Sequence, residues 1–172
     1  VVGGGAMGQG IVQVSLEGVM KVVLFDAKTG GGSEAKDAIF GRLERNVEKG
    51  RLEKNVLENI KQNLVLATDL SEFKKCDVVI EAVFEDIDVK LEVFKEVEKW
   101  VAPYCIIASN TSSLPIASLG RYCKHQNRFA GLHFFNPVPL MRLVEVIKGP
   151  STEDWVIEGL TNLGKRMGRT PV

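Results

Sequence analysis

The sequence predicts an α/β fold in which helices cover both faces of a doubly wound, mainly parallel sheet. Three observations carry that expectation. Short apolar runs alternate with longer stretches of helical periodicity. Residues 77–83 form a near-continuous apolar run, as a parallel strand buried on both faces requires. The chain also opens on a glycine turn set between a strand and a helix. At 172 residues one domain is expected, with enough chain for a sizeable core.

The opening stretch, Val1-Val2-Gly3-Gly4-Gly5-Ala6-Met7-Gly8, reads as a strand end, a tight turn and a helix start. Gly3, Gly5 and Gly8 fit G-x-G-x-x-G. The first glycine allows the bend, the second lets a pyrophosphate approach the backbone, and the third lets helix pack closely on strand. A helix over 7–18 follows, ended by Gly18. A second strand, residues 21–26, closes on Asp26. That acid lies about 20 residues beyond the glycines, where a dinucleotide site needs a carboxylate for the ribose hydroxyls. An acid there also repels a 2′-phosphate, so NAD is favoured over NADP. The plain alternative for Asp26 is a turn or cap residue.

Gly30-Gly31-Gly32 should be a flexible connection, because glycines start helices poorly. Ser33 is then the expected N-cap of a helix over 34–49, and a further helix over 53–62 completes a hairpin at about 34–62. The hairpin face is rich in charge (Arg42, Glu44, Arg45, Glu48, Lys49, Arg51). It is either a solvated face or a source of cations for an anionic substrate. Strands are expected at 64–67, 77–83 and 105–109. A helix over 87–100 should turn Val89, Val93, Phe94 and Val97 inward. The carboxyl ends of the strands bring the glycine turn, Asp26, residues 83–85 and residues 110–113 to one crevice. Beyond it come a short helix at 115–119, strands at 129–135 and 143–147, a helix ending near Met167 and a last strand at 170–172.

Charge is balanced, with 22 basic and 22 acidic residues, so neither nucleic acid nor a membrane surface is an expected partner. No apolar run approaches the roughly 20 residues of a membrane span. Cys76, Cys105 and Cys123 are odd in number and lack metal spacing, which favours reduced thiols and no metal. The chain starts inside a strand, so its natural N-terminus is expected upstream.

His133 sits in an apolar strand before a proline-rich turn, a place where a lone histidine is often a satisfied core residue. Glu145 shifts that balance. A carboxylate inside Leu143-Val144-Glu145-Val146-Ile147 is costly unless paired, and a short connection joins the two strands. A Glu beside a His fixes the imidazole tautomer and stabilises its charged form. Glu145 could instead pair with a backbone group or Arg142. Ser112, at the end of a strand, could cap a turn or offer its hydroxyl to a ligand.

Ser109-Asn110-Thr111-Ser112-Ser113, Gly131-Leu132-His133-Phe134-Phe135-Asn136-Pro137-Val138-Pro139 and the Glu145 strand resemble the signature of L-3-hydroxyacyl-CoA dehydrogenases. The glycine turn and Val79-Ile80-Glu81-Ala82-Val83-Phe84-Glu85 extend the resemblance over nearly the whole chain. It implies a Rossmann-like NAD-binding domain, residues 1–172, cut at both ends, with a helical-hairpin insertion. It also implies NAD-dependent oxidation of L-3-hydroxyacyl-CoA, or the reverse reduction, with His133 as general base, Glu145 as its partner and Ser112 on the reacting oxygen. Cofactor contacts would fall on Gly3, Gly5, Ala6, Met7, Gly8, Asp26, Glu85, Lys90, Ser112 and Asn136. The CoA moiety would meet Lys49 and Arg42, together with Ser112. The family continues into a helical domain that supplies another active-site Asn and a homodimer contact, so this chain alone is expected to be inactive. The setting implied is intracellular: mitochondrial matrix, peroxisome or bacterial cytoplasm. Competing readings are another hydroxyacid dehydrogenase with a lysine acid/base, for which Lys90 is available, or a non-catalytic dinucleotide-binding relative. The glycine run at 30–32 departs from the helix-forming residues expected there.

Overall fold

Val2 is the seam of the sheet. Its N–H donates to Ile80 O and its carbonyl accepts from Ala82, while Gly3 N–H donates to Phe25 O and Phe25 N–H to Val1 O. Val1 and Val2 therefore lie between two strand groups and join them in parallel with both. A computed structural model describes all 172 residues. On one side of the seam lie β1 (Val22–Leu24) and β2 (Leu64–Leu66), paired in parallel. On the other side lie β3 (Val78–Glu81), β4 (Ile106–Ser109), β5 (Phe129–Phe134), β6 (Leu143–Lys148) and β7 (Thr170–Pro171), in that order. Only β5 and β6 run antiparallel. The doubly wound, mainly parallel sheet is as the sequence predicts.

Alternation along the strands feeds two apolar layers. Ile80, Ile106, Ala108, Ala130, Leu132 and Val144 pack under α1 (Ala6–Glu17), α2 (Gly31–Glu48), α3 (Lys54–Gln62) and α6 (Asp154–Arg166). Val79, Ile107 and Phe129 pack with Phe94 and Val97 of α4 (Ile87–Glu98) and with Ile116 and Leu119 of α5 (Ile116–Gly120). Glu81, Ser109 and His133 share the parity of the second set. They stand on the α4 side of the sheet, at or just beyond the carboxyl ends of β3 and β4 and near that end of the site.

Two expectations fail, each for a local reason. The glycine run is helical: Gly30 is the N-cap in the left-handed region (φ 77°), and α2 begins at Gly31 rather than beyond Ser33. Gly31 is buried against Asp26, and a Cβ there would lie 2.5 Å from Asp26 Oδ1. The small residue keeps the acid in place, which propensity alone does not register. In α4 the inward set is Lys90, Phe94 and Val97, whereas Val89 is 40 % exposed. Residues 90, 94 and 97 have helical spacing, and Lys90 is tolerated there because two carboxylates receive its ammonium. No helix of the chain is long and apolar enough to cross a membrane.

Candidate active site

The backbone builds the first part of the site. Gly3 has φ 107°, and a Cβ on it would meet Ala82 O at 2.5 Å. A Cβ on Gly8 would meet Gly3 O at 1.8 Å, so α1 passes the turn at contact distance. Gly5 differs, for nothing lies within 4 Å of where its Cβ would be. It caps α1 with no side-chain hydrogen bond, and the first turn carries no acid. Gly5 thus leaves open space beside an uncapped, partially positive helix end at Ala6 and Met7, with Gly8 packed behind the turn, an arrangement that fits a pyrophosphate.

Asp26 stands at the end of the next strand. Its Oδ2 accepts Gly4 N–H at 2.6 Å and its Oδ1 accepts Lys28 N–H at 2.8 Å. Gln9 Nε2 donates to Gly4 O at 3.0 Å. The peptides on either side of Gly4 are therefore each held by a side chain, and the half-buried acid is fixed beside the turn.

β5 and β6 place His133 directly opposite Glu145. The imidazole Nδ1 lies 2.7 Å from Glu145 Oε2, which leaves Nε2 as the nitrogen free to exchange a proton. The His133 side chain is 16 % exposed and its ring lies 4.5 Å from that of Phe135. Glu145 is 43 % exposed, not buried as its apolar neighbours suggest. The cause is one-sided cover: α6 residues Val156 and Leu160 share a layer with Val144, and Glu145 points to the other face of β6.

The rim between turn and histidine is a polar network. Glu85 Oε1 accepts the Thr111 hydroxyl, the Ser112 and Ser113 N–H groups at 3.1 and 3.2 Å, and Ser113 Oγ at 3.1 Å. Lys90 Nζ lies 3.2 Å from Glu85 Oε2. Burial opposes ionisation of Glu85, but the Thr111 hydroxyl, Lys90 and Ser113 outweigh it and hold its carboxyl down at about 2. Asn110 Oδ1 accepts Phe134 N–H at 2.9 Å, tying this rim to the His133 strand. Ser112 and Asn136 are exposed, the latter in the turn that carries the cis Asn136–Pro137 peptide.

Two expected contacts are not gathered here. Arg42 donates to Gln13 Oε1 at 2.9 Å and Gln9 Oε1 at 3.2 Å, so its guanidinium ties α2 to α1 instead of standing free for an anion. Lys49 is the exposed C-cap of α2. Lys90 is 1 % exposed and lies beneath the rim. Sequence reasoning passed over Glu81, 0 % exposed. The signal that flagged Glu145, a carboxylate inside an apolar strand, flags Glu81 equally. Burial pushes the Cys105 and Cys123 thiols up to about 12, which leaves neither fit as a nucleophile.

The whole chain, residues 1–172, matches the family model "3-hydroxyacyl-CoA dehydrogenase, NAD binding domain". It is 42 % identical over 179 residues to the mitochondrial hydroxyacyl-coenzyme A dehydrogenase of Sus scrofa, covering all of this chain and 57 % of that protein. It is 40 % identical to a probable 3-hydroxybutyryl-CoA dehydrogenase of Deinococcus radiodurans, covering all of this chain and 62 % of that protein. The crystal structure of 3-hydroxybutyryl-CoA dehydrogenase from Escherichia coli K12 superposes with a TM-score of 0.97 at 37 % identity, over all of this chain and 36 % of that one. The chain thus spans less than two thirds of the length of these relatives.

Proposed function

The chain belongs to the family of 3-hydroxyacyl-CoA dehydrogenase NAD-binding domains, and from that premise we propose that the protein carrying it oxidises L-3-hydroxyacyl-CoA to 3-ketoacyl-CoA with NAD, or runs the reverse reduction. The observation that supports this most is the His133–Glu145 pair at 2.7 Å, set on the strand beside the Ser112 rim.

NAD, when bound, supplies the hydride acceptor. The chain's own residues do the rest. Gly5, Ala6 and Met7 would receive the pyrophosphate at the helix end, Gly8 lets that helix pack against the turn, and Asp26 would receive the ribose hydroxyls. Ser112 and Asn136 line the exposed rim. Glu85, held beside Ser112, sets the height of that rim, and Lys90 supports Glu85 from beneath. His133 Nε2 takes the proton of the 3-hydroxyl. Glu145 keeps Nδ1 as donor and offsets the positive charge that develops on the ring. The Ser112 hydroxyl donates to the reacting oxygen. For the CoA moiety Lys49 is the candidate on the hairpin, since Arg42 is engaged by the two glutamines.

The relatives include a protein named mitochondrial and bacterial ones, which supports an intracellular setting. NADH formation by the whole protein, with 3-hydroxybutyryl-CoA and with free 3-hydroxybutyrate in parallel, tests the reading. Turnover of the thioester alone is expected. Preference for the free acid would replace the reading with that of a hydroxyacid dehydrogenase. NADH binding without turnover of either would leave a dinucleotide-binding protein.

A further inference from the structure

We infer that Glu81 is a positioning residue for the cofactor rim: through Lys90 and Ser109 it sets where Glu85 and the loop of residues 111–113 stand. The inference rests on the reading of this crevice as an NAD site.

Glu81 ends β3 and is 0 % exposed. A carboxylate taken fully from water is costly unless charge and hydrogen bonds compensate it, and here every partner is accounted for. Glu81 Oε1 receives Lys90 Nζ at 2.7 Å and Val83 N–H at 2.8 Å, and Oε2 receives Ser109 Oγ at 2.6 Å. Each contact fixes a different part of the crevice. Val83 begins the segment that carries Glu85. Ser109 ends β4, and its Oγ also accepts Thr111 N–H at 3.3 Å. Lys90 holds Glu85 by its second ion pair. Glu85 in turn gathers Thr111, Ser112 and Ser113. An ammonium between two carboxylates has one position that serves both. If the buried carboxylate loses its charge, Lys90 pairs with Glu85 alone and draws that carboxylate away from the Thr111, Ser112 and Ser113 donors, which loosens the loop. Glu81 touches no surface of the crevice, so it acts only through these partners.

Glu81→Gln isolates the charge. Its amide can still accept from Lys90 and Val83 and donate to Ser109 Oγ. The 172-residue chain is titrated with NADH by fluorescence, and the Ser112 and Ser113 amide resonances are followed by two-dimensional NMR. Glu85→Ala, which removes the acceptor, marks where those amides resonate once released. In Glu81→Gln both resonances are expected to move toward the released positions, and NADH is expected to bind about tenfold more weakly, as loss of a charged hydrogen bond implies. An affinity within about twofold of wild type overturns the inference, whatever the resonances do. If Glu81→Gln does not fold, Glu81→Asp keeps the charge, draws it back from Lys90 by one methylene and leaves the Thr111–Ser109 bond untouched; it must move the same two resonances, and their standing still overturns it. If the wild-type chain does not bind NADH, the cofactor reading fails separately, and the two resonances alone decide the positioning role.

Discussion

At the scale of single residues, His133 and Glu145 divide the work by geometry. Antiparallel register puts them opposite each other, and a 2.7 Å contact commits Nδ1 to the carboxylate. Glu145→Gln can still accept from Nδ1–H but carries no charge. Turnover by the whole protein should fall at least about tenfold, with NADH affinity unchanged; stopped-flow turnover and equilibrium titration read the two separately. Glu85 makes a different demand. Its carboxyl is held at about 2 in the folded chain, below the usual carboxylate range, so it binds fewer protons folded than unfolded. Its contribution to stability is present above the unfolded value and is lost as pH falls through the folded one. Tm by circular dichroism should decline from about pH 5 toward pH 2, and Glu85→Gln should flatten that decline while lowering Tm at neutral pH.

At the scale of elements, space decides what propensity does not. The start of α2 holds two adjacent glycines with opposite needs. A Cβ on Gly31 meets Asp26 Oδ1 at 2.5 Å, whereas one on Gly32 meets only Leu66 Cδ2 at 3.8 Å. Gly32→Ala should therefore stabilise by up to about 1 kcal/mol through helix propensity. Gly31→Ala should destabilise and weaken NADH binding, because the acid it displaces also holds Gly4. Thermal melts of the pair, with NADH titrations, check this. Val19 follows the α1 C-cap at φ 59° with 78 % of its surface exposed, a left-handed position that a β-branched residue occupies at a cost. Val19→Gly should raise stability by about 1 kcal/mol. The strand–turn–strand order from His133 to Glu145 made their pairing legible, and the strand end made Asp26 legible. Lys90 shares its helical stripe with Phe94 and Val97, yet its charge removed it from the inward set; only the partner carboxylates, one of them nine residues away on β3, restore it. The role of Gly31 depends on a contact with Asp26 that no pattern within α2 contains.

At the scale of the whole molecule, the sheet brings four segments to one end. Residues 1 and 2 join the two strand groups, so the glycine turn stands between the Asp26 strand and the Glu81 strand. The histidine strand lies farther along, tied back by Asn110 to Phe134. α1 also reaches the turn after His133, since a Cβ on Gly10 would meet Val138 Cβ at 2.6 Å. A cofactor at the start of α1 and a substrate beside His133 would thus share one rigid support. The carboxylate of Asp26 should make this support selective, and the 172-residue chain should bind NADH more tightly than NADPH. On the proposed function, cofactor binding and proton transfer are separate tasks of this one crevice, and His133→Ala separates them. In the whole protein, oxidation of 3-hydroxybutyryl-CoA should fall by about 10²–10⁴-fold, the usual worth of a general base, while NADH affinity stays within about twofold of wild type. Near-normal turnover by His133→Ala would remove His133 from proton transfer.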